Sequence, residues 1–375
     1  MGRLMGGLSP LSAVDIGVQV AEAVLKETGA VKAGVDEVFI GNVLQAGVGQ
    51  APARQVALRA GLPETITAVT VNKVCGSGLE TVFQADRAIR CGDINVALCG
   101  GIESMSSAPH LLTGSRRGYK YGPVQVLDHM DYDGLACAFE RWAMGKAADY
   151  IAEKHRINRE DQDKFALSSH QKAAAADREG RFDRERLPIK TAKEQVSKDE
   201  TIRFDANLAD MAKLKPVFNP NGTVTAGNAS GISDGAAMLL VASEEAARKH
   251  GWPIRAEILA TATAGVAPKE IFIAPVPAIR KVVEKAGLRL DQVDLFDINE
   301  AFAAQMLACI RGLELPEEKV NVHGGALALG HPIGASGARV LVTLLHAMEQ
   351  RHARTGVACL CLGGGNAVAA CIRRP

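Results

Sequence analysis

An α/β fold made of two similar halves with a segment inserted between them is what the sequence predicts, and three observations predict it. Apolar strand-like runs alternate with amphipathic helical runs. The first and last thirds of the chain use the same order of elements. The apolar runs end in glycines, as buried parallel strands do at their turns. With 375 residues and 47% hydrophobic content, the chain can bury more than one core.

The elements follow in order. LSAVDIGVQVAEAVLKETG, from Leu11, has helical periodicity and leads into the strand candidate VDEVFIGNVLQ, as VPAIRKVVEKAG leads into LDQVDLFDINEAFAAQ in the last third. Next, each copy has a strand, a glycine-rich turn and a helix: AVTVNKVCGSGLETVFQADRAIRCG and VNVHGGALALGHPIGASGARVLVTLLHAM. Each closes on an apolar strand running into glycines, VALCGGIES and ACLCLGGGNAVAA. The second copy opens with the strand candidate IRAEILATATAG, residues 254–265, but only ten residues precede Leu11, and MGRLMGGLSP has no β-branched residue. The first strand of the first half is therefore expected to be missing, through a miscalled start or a truncation, leaving neighbouring strands unpaired. The expected organisation is an N-terminal half of residues 1–106 and 233–253, a ligand-covering loop domain at 107–232, and a C-terminal half at 254–375.

Charge and cysteine usage narrow the function. Forty-three basic against 42 acidic residues leave a net charge of +1, so no global field favours nucleic acid or an anionic membrane. The eight cysteines include one C-x-C, Cys359 and Cys361, and no C-x-x-C, which points to a reduced, cytoplasmic setting without a metal site. No apolar run reaches the roughly 20 residues that span a bilayer, and neither a signal peptide nor a peroxisomal ending is present. GHPIGASGA lacks the ending of a phosphate loop, and no G-x-G-x-x-G follows a first strand.

Four sites stand where strand ends meet turns: Cys75 in NKVCGSG, Asn299 in NEAF, His331 in GHPIGASGA and Cys361 in CLGGG. In open α/β sheets, ligands bind at that edge. Each residue also has a structural reading: Cys75 as a buried filler, Asn299 as a helix cap, His331 as a turn residue. Cys359 shares a strand face with Cys361 by alternation.

With the motifs N-x-x-C-x-S-G, N-E-A-F, G-H-P-x-G-A-S-G-A and C-x-G-G-G in order over residues 71–367, the sequence resembles the thiolase family, in particular its acetyl-CoA acetyltransferases. The resemblance implies a layered α-β-α-β-α fold with a loop domain. It implies an acyltransferase that reversibly cleaves 3-ketoacyl-CoA or condenses acetyl-CoA through an acyl-cysteine, with coenzyme A and acyl-CoA as substrates, no separate cofactor, and a homodimer or homotetramer as the assembly. By the same resemblance Cys75 is the nucleophile, His331 activates it, and Asn299 holds a water in the oxyanion hole. Cys361 is the second acid/base, and the amides of Cys75 and Gly363 receive the enolate oxygen. Ser230, Gly231, Met144 and Phe302 are the implied coenzyme A contacts. Two positions depart from the pattern. Ala143 stands where acetoacetyl-type members carry a histidine, which leaves a broader 3-ketoacyl-CoA thiolase open, and Asn366 and Ala367 replace the commoner Met-Gly. A ketosynthase-like condensing enzyme and a truncated non-catalytic acyl-CoA-binding or scaffold protein are the remaining alternatives.

Overall fold

The computed structural model describes residues 1–30 and 34–375. Two open sheets carry the fold. In chain order the first half contributes β1 (Gly2–Arg3), helix α1 (Ala13–Glu27), β2 (Glu37–Gly41), β3 (Thr67–Val71), α2 (Ser77–Cys91) and β4 (Val96–Ser104). The inserted segment carries α3 (Met144–Lys154) and α4 (Arg159–Arg178), after which β5 (Ser233–Ala242) returns to the first sheet. The second half contributes β6 (Glu257–Gly265), α5 (Pro275–Lys285), β7 (Leu295–Ile298), α6 (Ala303–Leu313), α7 (Ser336–Gln350), β8 (Thr355–Leu362) and β9 (Asn366–Arg373).

The duplication is visible in the pairing. The first sheet runs β1-β5-β4-β2-β3 and the second β6-β9-β8-β7, and a parallel bridge from Phe296 to Val320 marks the place that β3 holds in the first. In both, the closing strand is antiparallel to its neighbours while the inner strands are parallel. β4 is buried along all nine residues, which explains why its sequence is continuous in apolar and small residues rather than alternating.

Three cores stack the layers. Val14, Val18, Ala21 and Leu25 of α1 cover the outer face of the first sheet. Ile279, Val282 and Val283 of α5, with Met306 and Ile310 of α6, cover the outer face of the second. Between the sheets lie α2 and α7, whose Leu79, Val82, Phe83, Val340, Leu341 and Leu344 meet side chains of β4, β8 and β9. The result is the expected α-β-α-β-α order. The two central helices touch near their N-termini: a Cβ on Gly78 would lie 2.7 Å from the Ala338 amide nitrogen, and one on Gly337 would run into the amide nitrogen of Leu79. Only glycine allows two backbones to approach so closely.

One expectation needs correction. The first strand of the first half is not absent: Gly2 and Arg3 pair antiparallel with Asp234 and Ser233, and Leu4 N–H donates to Ile232 O. It is a stub, since its counterpart β6 pairs with β9 from Glu257 to Gly265. The stub is held from outside the sheet. The Met1 amine pairs with Asp199, and Leu8 packs with Ile16 and Ile189 beside Ala236 of β5. Two residues without β-branching suffice for a strand because these contacts, rather than local propensity, fix them.

Candidate active site

The turn after β3 is built to present Cys75. Asn72 Oδ1 accepts the Val74 amide at 3.1 Å, the Lys73 amide donates to Ser77 Oγ at 2.8 Å, and Ser77 Oγ donates to Val74 O at 2.6 Å. These bonds hold Val74 at φ +48°, a left-handed conformation that a β-branched residue adopts only under constraint. Cys75 thereby leaves the turn at the start of α2, partly accessible. A Cβ on Gly76 would meet Leu362 Cδ2 at 2.5 Å, so the end of β8 packs directly on this turn. Gly363 faces Val74 in the same way, its own Cβ position 3.2 Å from Val74 Cγ1.

His331 comes from the second half. Its amide donates to Gly231 O at 3.0 Å, and its Nδ1 lies 2.6 Å from Ser336 Oγ, which itself donates to Pro332 O at 2.9 Å. A hydroxyl that donates its only proton to a carbonyl can only accept from the imidazole, so Nδ1 carries the proton and Nε2 keeps a lone pair. Asn299 Nδ2 points at that Nε2 from 3.4 Å, while Asn299 Oδ1 receives Arg339 Nη2 at 3.5 Å. The arginine sets the amide so that its NH2 faces the histidine. Burial, reinforced by the Arg339 charge, pushes His331 down to about 3, and burial pushes the Cys75 thiol up to about 12, aided by the nearby Glu103. The resting pair is neutral thiol and neutral imidazole, with the acceptor nitrogen facing the Asn299 amide.

Cys361, on β8, is buried, and its thiol is held well above the ordinary range by that burial and by the neighbouring sulfurs of Cys75, Cys309 and Cys359. The structure therefore brings Cys75, Asn299, His331, Cys361 and Gly363 to one place, where the turns of both halves meet. The four expected coenzyme A contacts lie around it. Ser230 donates its amide to Ala301 O, Gly231 O receives His331, Phe302 is bridged to Ala229, and Met144 packs in the cluster that contains Cys361 and Phe302.

Three residues of this site were not singled out from sequence. Ser336 sits inside the GHPIGASGA block and fixes the histidine tautomer. Arg339, one turn later, is buried and lies 3.5 Å from Asp297 as well as anchoring Asn299. Glu103 is wholly buried and receives the amides of Val43, Leu44 and Gly334 and the side chain of Asn42, so it ties the first half to the His331 loop. A lone carboxylate inside the apolar run VALCGGIES was the available signal for it. Among the described residues, no group of three or more His, Cys, Asp or Glu side chains is arranged to hold a metal ion, and no helix is long and apolar enough to cross a membrane.

A cysteine-bearing turn from the first half thus meets a histidine-bearing turn from the duplicated half. Comparison with known proteins makes this specific. The thiolase N-terminal domain matches residues 1–245 and the thiolase C-terminal domain residues 252–374. A Staphylococcus aureus (strain COL) protein named "Probable acetyl-CoA acyltransferase" is 48% identical over 379 aligned residues, covering 100% of this chain and 96% of the relative. Its counterpart in strain NCTC 8325 / PS 47 is 47% identical over the same span. The crystal structure of the Bacillus anthracis acetyl-CoA acetyltransferase superposes with a TM-score of 0.97 at 40% identity, covering 100% of this chain and 96% of that one. The chain belongs to the thiolase family, and it is an acyltransferase enzyme.

Proposed function

We propose that the protein catalyses the reversible thiolytic cleavage of 3-ketoacyl-CoA, with acetyl-CoA C-acetyltransferase activity as its main reaction. The observation that carries this reading is the His331 imidazole, held by Ser336 through Nδ1 and by Asn299 at Nε2, in the site that holds two cysteines.

In cleavage, the Cys75 thiol gives its proton to His331 Nε2 and its sulfur attacks the 3-keto carbon. The bond between C2 and C3 then breaks, leaving an acyl-Cys75 thioester and an acetyl-CoA enolate. The enolate takes its proton from the Cys361 thiol, which burial keeps protonated at neutral pH. Incoming coenzyme A gives its thiol proton to the Cys361 thiolate and attacks the acyl group, and the departing Cys75 sulfur recovers the proton held by His331. Condensation is the reverse. The amides of Cys75 and Gly363 are the donors for the enolate oxygen, and a water held by Asn299 joins His331 in receiving the other oxyanion. Ser230, Gly231, Met144 and Phe302 contact coenzyme A. Its phosphates and the acyl group are substrate features, so no further cofactor is called for.

The test is mass spectrometry after mixing with acetyl-CoA. Wild type and Cys361→Ala should both gain an acetyl group on Cys75, with only the wild type completing cleavage or condensation. An equal adduct on the Cys75→Ala protein would overturn the assignment. Ala143, at the N-cap of α3, leaves a broader 3-ketoacyl-CoA thiolase as the second reading, which a kinetic profile over 3-ketoacyl-CoA lengths decides. A cytoplasmic homodimer or homotetramer serving fatty acid metabolism completes the proposal, with sedimentation as the test of assembly.

A further inference from the structure

Cys75 packs against a small apolar cluster drawn from both halves and from the inserted segment: Val43 and Leu44 after β2, Met105 after β4, Ile333 beside His331, and Met130 and Leu135. The last two open and close a π-helical turn, Met130–Leu135, an uncommon geometry that recurs at functional sites. Gly134 of that turn is buried and lies close against the facing side chains. A Cβ there would sit 3.1 Å from Ile333 Cδ1 and 3.2 Å from Leu44 Cδ2. Two facing pieces of chain thus wall the surroundings of the sulfur, the stretch after β2 and the π turn.

One side chain ties the two walls together. His129, buried at the start of the π turn, accepts the Ala46 amide at Nε2 over 3.3 Å. An amide N–H can only donate, so Nε2 holds the lone pair and the ring proton sits on Nδ1, which donates to Asp133 Oδ2 at 2.5 Å. That charge-assisted bond fixes the tautomer and the ring orientation. Among the described residues, the contact with Ala46 is the only hydrogen bond between the two walls. The first wall is anchored from its other side, where Glu103 receives the Val43 and Leu44 amides, so the closure of the π turn over it depends on His129. We propose that His129 is a positioning residue for acyl-chain length: by tying the π turn to Ala46 it holds Met130 and Leu135 against Cys75 and favours short acyl groups there over long ones. The inference rests on the reading of Cys75 as the acyl carrier. It is separate from Ala143, which lies outside this cluster.

The test is a competition for Cys75. Full-length protein is mixed with equal concentrations of acetyl-CoA and octanoyl-CoA, quenched at early times, and the Cys75 peptide is read by mass spectrometry. The acetyl adduct should exceed the octanoyl adduct in the wild type; the reverse order overturns the proposal. His129→Ala removes both bonds, and the half-buried Ala46 amide is then free to turn to water. The octanoyl-to-acetyl ratio should rise roughly 2- to 12-fold, the fold-change that corresponds to the net worth of one hydrogen bond. Two conservative variants separate this role from bulk packing. His129→Gln places an amide oxygen where Nε2 stood and keeps the bond to Ala46, so it should retain the wild-type ratio. His129→Asn reaches only Asp133, so it should behave like His129→Ala, and it carries the test if the alanine variant fails to fold. An unchanged ratio in folded His129→Asn protein, or an equal shift in His129→Gln, overturns the proposal while leaving Cys75 as acyl carrier. A wild type with neither adduct on Cys75 overturns the acyl-carrier reading itself.

Discussion

Replacing Ser336 by alanine isolates the contribution of one hydroxyl to His331, the proposed base for Cys75. Ser336 Oγ accepts His331 Nδ1–H at 2.6 Å and passes its own proton to Pro332 O at 2.9 Å. It is fully buried and fixes the imidazole rather than touching substrate. Without it, the buried Nδ1–H loses its acceptor, and the alternative tautomer, with the proton on Nε2, becomes competitive. That tautomer cannot take the Cys75 proton. Leaving a buried donor unpaired costs about 1–3 kcal/mol. If the whole cost falls on the active tautomer, acylation slows by roughly 5- to 150-fold, since about 1.4 kcal/mol is a factor of ten. The assay is single-turnover acetylation of Cys75, followed by rapid quench and mass spectrometry, alongside steady-state thiolysis. The expected pattern is a lowered acylation rate and kcat with KM little changed. A Ser336→Ala protein with near-native melting that acetylates at the wild-type rate would refute the tautomer argument.

Other perturbations test the scaffold around the site. Gly337→Ala pushes a methyl into the Leu79 amide at the crossing of α2 and α7, where neither backbone can yield, so the loss should reach at least the upper end of the roughly 1–3 kcal/mol typical of overpacking; a melting temperature within two degrees or so of wild type would contradict it. Arg339→Leu strips the buried Asp297 of its cation and should destabilise by about 3–5 kcal/mol. The double variant Asp297→Asn/Arg339→Leu should recover melting but not kcat, because Asn299 still lacks its anchor; recovery of both would make Arg339 purely structural. Glu103 gives a pH dependence. Burial, only partly offset by the amides of Leu44, Val43 and Gly334, raises its folded pKa from the ordinary 4.5 to about 7. Between those values the folded chain binds a proton that the unfolded chain has released, so this group makes stability fall as pH rises, by up to about 1.4 kcal/mol per unit. Denaturation of Glu103→Gln at pH 5 and pH 7 should show a shallower loss than wild type; an identical slope would remove Glu103 as its source.

The duplication was legible because it is written twice. Each half repeats a helix, a strand, a glycine-bearing turn and a second helix, and patterns of that length survive without knowledge of tertiary contacts. Cys75, Asn299, His331 and Cys361 were legible for a related reason: each sits in a short local motif at a turn or element end, although His331 follows the short helix Ala326–Leu329 rather than the strand expected there. Glu103, Arg339 and Ser336 were not, because what makes them matter is their partners. Glu103 is satisfied by amides 59, 60 and 231 positions away, and Arg339 finds Asn299 across 40 positions. Ser336 is local to His331, but its effect lies in the direction of a proton, which only the bond onward to Pro332 O decides.

β1 shows the same division from the other side. Local propensity argued against any strand in MGRLMGGLSP, yet Gly2 and Arg3 pair with β5. What retains those two is tertiary: the edge of β5 offers unpaired groups at Ser233 and Asp234, and those positions also serve the site. Ser233 Oγ is 3.3 Å from the His331 amide, and Asp234 Oδ1 accepts the Ser106 amide at 2.9 Å, just beyond β4. Pairing with Gly2 and Arg3 therefore steadies the stretch of β5 that reaches His331, while the rest of that strand pairs with β4 and is covered by α1 and α7. The stub is short, but it lies at the end of the sheet where a lost pair would be felt by His331.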